Sequence, residues 1–223
     1  MKTEILVLTP TPTVIIGRRK TLKVMMEEGE LITSPHIPQE YLDELRLVYI
    51  FSVRQLNSEH RTLIKSLVRR GVNVMVEFMP RSRNDVEVMN KFTSSYGIEY
   101  TWIKVVDYKY NVGLYECPMI LIKEAKHDIL KNVGKVVFHR PYHIRAEKSQ
   151  PLIIGNESCI ALDPITNKPL VMPRGHAITL AALHTTQKNS VVIAFSGYVF
   201  DDTALENKGN EVLLRNIIRF CLR

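Results

Sequence analysis

The sequence is poor in the residues that usually announce a chemistry. Its 223 residues hold three cysteines, Cys117, Cys159 and Cys221, all far apart. A disulfide framework calls for an even, dense set and a zinc site for closely paired ligands, and this spacing suits neither. Cys221 stands among Ile217, Ile218 and Leu222, where cysteine serves as a small core hydrophobe, so reduced structural thiols are expected. Aromatics are 8% of the chain with a single tryptophan, and no ribonucleoprotein-type motif is present. No apolar run approaches the roughly 20 residues of a membrane span. Glu4 precedes only the short run Ile5–Leu8, and no small-residue cleavage site follows. That argues against a secretory signal, and the expected location is the cytoplasm.

Glycine-rich phosphate motifs are lacking too. Gly17-Arg18-Arg19-Lys20-Thr21 resembles the end of a phosphate loop, but Arg19 stands where that loop needs glycine, and no glycine lies five residues earlier. Successive free N–H groups cannot wrap a phosphate there. No G-x-G-x-x-G follows any strand. The segment reads as the basic start of a helix, and no cofactor is expected.

What is present is ordinary globular composition, 45% hydrophobic and 24% charged, long enough for one domain spanning residues 1–223. The net charge of +7 is spread over Arg18-Arg19-Lys20, Arg69-Arg70, Arg81, Arg83, Arg140, Arg145 and Lys148. Scattered basicity implies solubility and weak polyanion affinity more than base recognition.

The apolar pattern gives the organisation. Ile5 to Thr9 reads as a strand, residues 18 to 28 as a helix stopped by Gly29, Leu31-Ile32 as a short strand, and Pro38 as the start of a brief helical turn. Val48–Phe51 and Val72–Phe78 read as buried strands. Between them Asn57 caps a helix with an apolar face at Leu63, Ile64, Leu67 and Val68, ended by Gly71. Ser82 with Asp85 looks like a capping box for a helix through Val86, Met89 and Phe92. Ile98 to Val106 is strand-like, so the stretch from Val48 to Val106 predicts parallel neighbours joined by right-handed crossovers.

Beyond Asp107 the pattern weakens. A helix is expected over Lys123 to Asn132 and a strand over Lys135–Phe138. Short runs follow at Ile153-Ile154, Cys159–Leu162 and Leu170–Met172, with a hairpin turn at Asp163–Lys168. Ile178 to Leu183 should pair antiparallel with Val191–Phe195 across the turn Thr185 to Asn189. Asp201, Asp202 and Thr203 offer N-cap chemistry for a final amphipathic helix built on Val212, Leu213, Ile217 and Ile218. The fold class is α/β: three layers, a mostly parallel central sheet, and antiparallel strands added in the C-terminal half.

Reactive constellations are weak. His139 and His143 are four apart, a metal spacing only on a helix, and Pro141 stands between them. His176 and His184 bring no acidic ligand at a fitting spacing, so no metal is expected. A nucleophile elbow needs small residues on either side. Cys117 is followed by Pro118, Cys159 lies in a strand-like run, and Ser196-Gly197 lacks the preceding glycine. No catalytic residue is assigned. Arg140, Arg145 and Arg174 would form an anion pocket if their loops meet at the carboxyl edge of the sheet.

Three stretches resemble a known family. They are Leu45–Ile50 with Asn57–His60 and Leu63–Val74, then Asn90–Ile98, and then Val191–Phe200 with Asp201, Glu206-Asn207 and the last helix. Their order is similar to the glutamine-amidotransferase-like domain shared by the intraflagellar-transport subunit 52, bacterial gliding-type transporter accessory proteins and the oligosaccharyltransferase 48-kDa subunit. The resemblance implies a flavodoxin-like sandwich without the amidotransferase nucleophile, in proteins that act through binding and assembly. The expectation is therefore a non-catalytic domain that engages a protein partner or small anionic ligand at the carboxyl edge. Ser196, Gly197 and Tyr198, with Arg140 and His143, are the candidate site. The alternatives are a hydrolase or amidotransferase-like enzyme using Cys117 or Ser196, and a basic nucleic-acid-associated factor.

Overall fold

Short apolar runs become strands covered on both faces, and the amphipathic segments between them become the covering helices. The computed structural model describes residues 4–8, 17–38, 41–51, 56–171 and 177–223. The first half runs β1 (Ile5–Leu8), α1 (Arg19–Glu28), β2 (Leu31–Ser34), β3 (Leu47–Ile50), α2 (Ser58–Arg69), β4 (Asn73–Phe78) and α3 (Arg83–Thr93). The second half runs β5 (Ile98–Asp107), β6 (Met119–Leu121), β7 (Lys135–Val137), β8 (Tyr142–Ala146), β9 (Gln150–Ile154), β10 (Cys159–Leu162), β11 (Thr179–Thr185), β12 (Val191–Ser196) and α4 (Lys208–Leu222).

The central sheet has the order β2-β1-β3-β4-β12-β11-β9. Its first five strands are parallel, while β11 and β9 are added antiparallel. Alternate side chains of the parallel strands feed two cores. Val7, Tyr49, Met75 and Phe195 pack with α1 and α4, while Leu8, Ile50, Val76 and Ala194 pack with α2 and α3. The fold is thus the expected α/β sandwich.

Local chemistry sets the ends. The Asn57 side chain accepts the His60 N–H at 2.8 Å, and Ser82 accepts the Asp85 N–H at 3.2 Å. Asp85 reaches back to the N–H of Arg81 at 2.9 Å, one residue short of a strict capping box. Gly71 ends α2 with φ +102°, a conformation that favours glycine.

Four expectations need correction. β5 does not join the parallel sheet, because β12 occupies the free edge of β4. The Asn90 side chain instead bonds the N–H and carbonyl of Tyr100, both at 2.9 Å, and β5 enters a three-stranded antiparallel sheet ordered β10-β5-β8. The helix expected over Lys123 to Asn132 shrinks to a 3-10 turn at Asp128–Leu130. His127 caps that turn, and Asn132 leaves it at φ +62°. The final helix is not capped by Asp201, Asp202 or Thr203. Asp201 caps a separate 3-10 turn through the Ala204 N–H at 2.7 Å, Asp202 accepts the Lys20 N–H at the start of α1 at 2.8 Å, and α4 begins only at Lys208. Leu170 and Val171 form no strand, and Met172 lies outside the described residues.

Candidate functional site

In open α/β sheets ligands settle beyond the carboxyl ends of the strands. Here β3, β4 and β12 end together, and a buried polar knot ties their ends to α1. Glu77 is fully buried on β4. Its Oε1 accepts the N–H groups of Val199 and Phe200, and its Oε2 accepts from the Tyr49 hydroxyl and, at 2.6 Å, from the Arg18 guanidinium. That guanidinium lies 5.1 Å from the ring centres of both Phe51 and Tyr198. Burial alone would lower the Arg18 pKa, but the facing Glu77 carboxylate outweighs it and raises it. Burial pushes the Tyr49 hydroxyl well up, so it stays a neutral donor. Every oxygen of Glu77 is committed, so the knot braces the edge and is not itself a binding site.

The predicted residues divide into two groups. Ser196 is buried at the end of β12, where its hydroxyl accepts the Tyr142 N–H. Gly197 has φ +77° and donates its N–H to the Phe78 carbonyl at 2.8 Å; an added Cβ would meet the His139 carbonyl at 2.6 Å. Tyr198 and His139 exchange backbone hydrogen bonds of 2.8 and 2.9 Å, which lays residues 139–142 beside 196–198. Arg140, at φ +50°, projects its side chain outward, with Nε 3.4 Å from Glu116. Ser196, Gly197, Tyr198 and Arg140 therefore converge. His143 does not join them, because it is buried in β8 with Nδ1 accepting the Thr179 N–H at 3.2 Å. Arg174 and His176 lie outside the described residues.

Beside this segment, beyond Met79-Pro80 at the end of β4, opens a cleft of about 380 Å³. Arg81, Lys104, Glu116, Arg140, Tyr142 and Pro164 line it. Glu116 pairs with both Lys104 and Arg140, and Arg81 adds a third cation to the lining. Trp102 stacks on Tyr142 at 5.3 Å, and its indole N–H is buried without a hydrogen-bond partner among the described residues. Sequence reading missed Lys104, Glu116 and Tyr142 as cleft residues. The one available signal was a lysine inside the apolar run of β5. Among the described residues no group of three His, Cys, Asp or Glu side chains is placed to hold a metal ion, and no helix is long and apolar enough to cross a membrane.

No protein-family model matches the sequence, and no curated protein does either. Solved structures do match in fold. A ThuA-like protein from Bacteroides uniformis superposes with a TM-score of 0.63 at 11% identity, over 99% of this chain and 91% of that one. A glutamine amidotransferase from Thermotoga maritima does so with a TM-score of 0.58 at 7% identity, over 100% and 99%. An α-L-fucosidase isoenzyme 2 from Paenibacillus thiaminolyticus gives 0.51 at 12% identity, over 97% of this chain but 32% of that one. At such identities the likeness shows the fold alone. The chain has a flavodoxin-like fold of the glutamine-amidotransferase type.

Proposed function

We propose that this chain is a single cytoplasmic domain that binds a small anionic ligand in the carboxyl-edge cleft, as a module of binding and assembly related to the intraflagellar and gliding-transport group. The observation that carries this reading is the charge count of the cleft: Arg81, Lys104 and Arg140 face one carboxylate, Glu116. An anion carrying two or more charges would complete that balance through charge-assisted hydrogen bonds. Arg140 contacts the ligand in this reading, Ser196, Gly197 and Tyr198 shape the adjoining wall, and His143 braces β8 against β11 from behind. Calorimetric titration with citrate and with inorganic phosphate tests it. Binding should weaken about tenfold in Arg140→Ala or Arg81→Ala, as expected for one lost charge-assisted bond of about 1.5 kcal/mol. Unchanged binding in both variants would reject the cleft.

A second reading, an enzyme of hydrolase or amidotransferase type, draws on the full-length likeness in fold to a glutamine amidotransferase. Two features of the edge weigh against the usual form of that chemistry. Ser196 is buried with its hydroxyl engaged. The N–H groups of Gly197, Tyr198, Val199 and Phe200, which would hold an oxyanion, are already bonded to Phe78, His139 and Glu77. Ammonia release from glutamine above the buffer rate would favour this reading over the first.

A further inference from the structure

The β6–β7 ladder pairs Met119 with Val137 and Ile120 with Val136. Pairing continues past both strands, with the Phe138 N–H on the Pro118 carbonyl at 3.0 Å and the Arg140 N–H on the Glu116 carbonyl at 2.8 Å. In that register Cys117 stands opposite His139 at a non-hydrogen-bonded position, where cross-strand side chains approach most closely. Side chains alternate along a strand, so Cys117 and His139 share the face opposite to Glu116 and Arg140. On their face the His139 Nδ1 lies 3.1 Å from Asp201 Oδ2, in the turn after β12. The other Asp201 oxygen is fixed by the Ala204 N–H at 2.7 Å. A proton on Nδ1, donated to Asp201, leaves Nε2 as the basic nitrogen.

The three thiols differ in their access to chemistry. Cys221 is buried in the core. Burial, with the nearby Asp107 carboxylate, pushes the Cys159 thiol up to about 12. Cys117 is half-buried, and burial raises its pKa while the Arg140 N–H pulls it back. It is protonated at rest, so a base must remove its proton before it can attack.

We propose that Cys117 is an acyl-accepting nucleophile, with His139 as its base and Asp201 as the residue that positions His139, acting on esters or thioesters. Esters and thioesters fit best because the neighbouring backbone donors are committed, so the carbonyl must be reactive without an oxyanion hole. As the Cys117 Sγ bonds to the acyl carbon, its proton passes to His139 Nε2. The C–O or C–S bond to the leaving group then breaks, and the departing alkoxide or thiolate takes that proton. Water, deprotonated by the same nitrogen, later releases the acid and restores the thiol. The inference rests on the enzyme reading only for its reaction class. Glutamine turnover and acylation of Cys117 are separate measurements, so either can fail alone.

The test treats the full chain with p-nitrophenyl acetate and maps the acetyl group by mass spectrometry. One acetyl on Cys117 is expected, absent in Cys117→Ala. His139→Gln should slow acetylation about tenfold or more, in the rate at saturating ester and not through KM. Should His139→Gln fail to fold, Asp201→Asn carries the test, since it keeps an oxygen for the Ala204 N–H, and it should slow acetylation likewise. Acetylation of Cys117 no faster than of Cys159, or either variant with the wild-type rate at saturating ester, would overturn the proposal.

Discussion

Arg18 and Glu77, 59 residues apart in sequence, meet at 2.6 Å where both side chains are almost completely shielded from water. The pair joins the start of α1 to the end of β4, and through the Val199 and Phe200 N–H groups it also holds the turn after β12. Removing one partner strands the other charge. Glu77→Ala should cost about 3–5 kcal/mol in urea unfolding, with Arg18→Met comparable. The Arg18→Met/Glu77→Leu double variant should lose much less than the sum of the two single losses, because it removes both charges together. Additive losses would mean that the residues do not act as a pair.

The last helix should be a main support of the sheet. Ile217 is fully buried against the face that carries Tyr49 and Phe195, whereas Val212 is only partly buried. Ile217→Ala should therefore cost about 2–5 kcal/mol, and Val212→Ala well under half of that. Equal losses in denaturant titration would contradict the packing.

Acid should unfold the protein through carboxylates held in ion pairs. Arg219 and Arg215 bonds hold Glu28 below its ordinary pKa, and Asp201 is lowered because its His139 and Ala204 bonds outweigh the opposing effect of burial. A folded-state value below the unfolded one adds stability above about pH 4, and that stability fades as pH falls through the folded value. The urea midpoint should drop between about pH 5 and pH 3, and Glu28→Gln should flatten part of the drop. A midpoint independent of pH over that interval would count against these contacts.

The net charge of +7 is dispersed, so polyanion binding should be weak and without base preference. Filter binding to unrelated DNA and RNA sequences at low salt should fall steeply toward physiological salt. Tight binding to one sequence that survived physiological salt would move the account toward nucleic-acid recognition.

The parallel core was legible because Val48–Phe51, Val72–Phe78 and Val191–Phe195 are continuous apolar runs, which only a doubly covered strand accommodates. Asn57, Gly71 and Ser82 marked the ends of their helices through local chemistry alone. β5 was misplaced because its partner is set by tertiary pairing: β12, far along the chain, occupies the edge of β4. The caps Asp201 and Asp202 were misassigned for a related reason, since their partners Ala204 and Lys20 are settled by the turn and by α1. Arg140 and the 196–198 turn were visible as polar breaks after apolar runs. Lys104, Glu116 and Tyr142 were not seen as one cleft, because nothing local in a strand says which loop will lie across it. The opposition of Cys117 and His139 was likewise hidden, since it depends on the register of β6 with β7.

The binding proposal is tested most directly by following backbone amide shifts of the labelled protein while citrate is added. The account predicts that the largest changes fall at Arg81, Lys104, Glu116, Arg140 and Tyr142, with the Trp102 indole N–H moving alongside them. Changes concentrated instead at the opposite edge of the sheet, around Lys65, Arg69 and Lys188, or spread evenly over all basic residues, would contradict it.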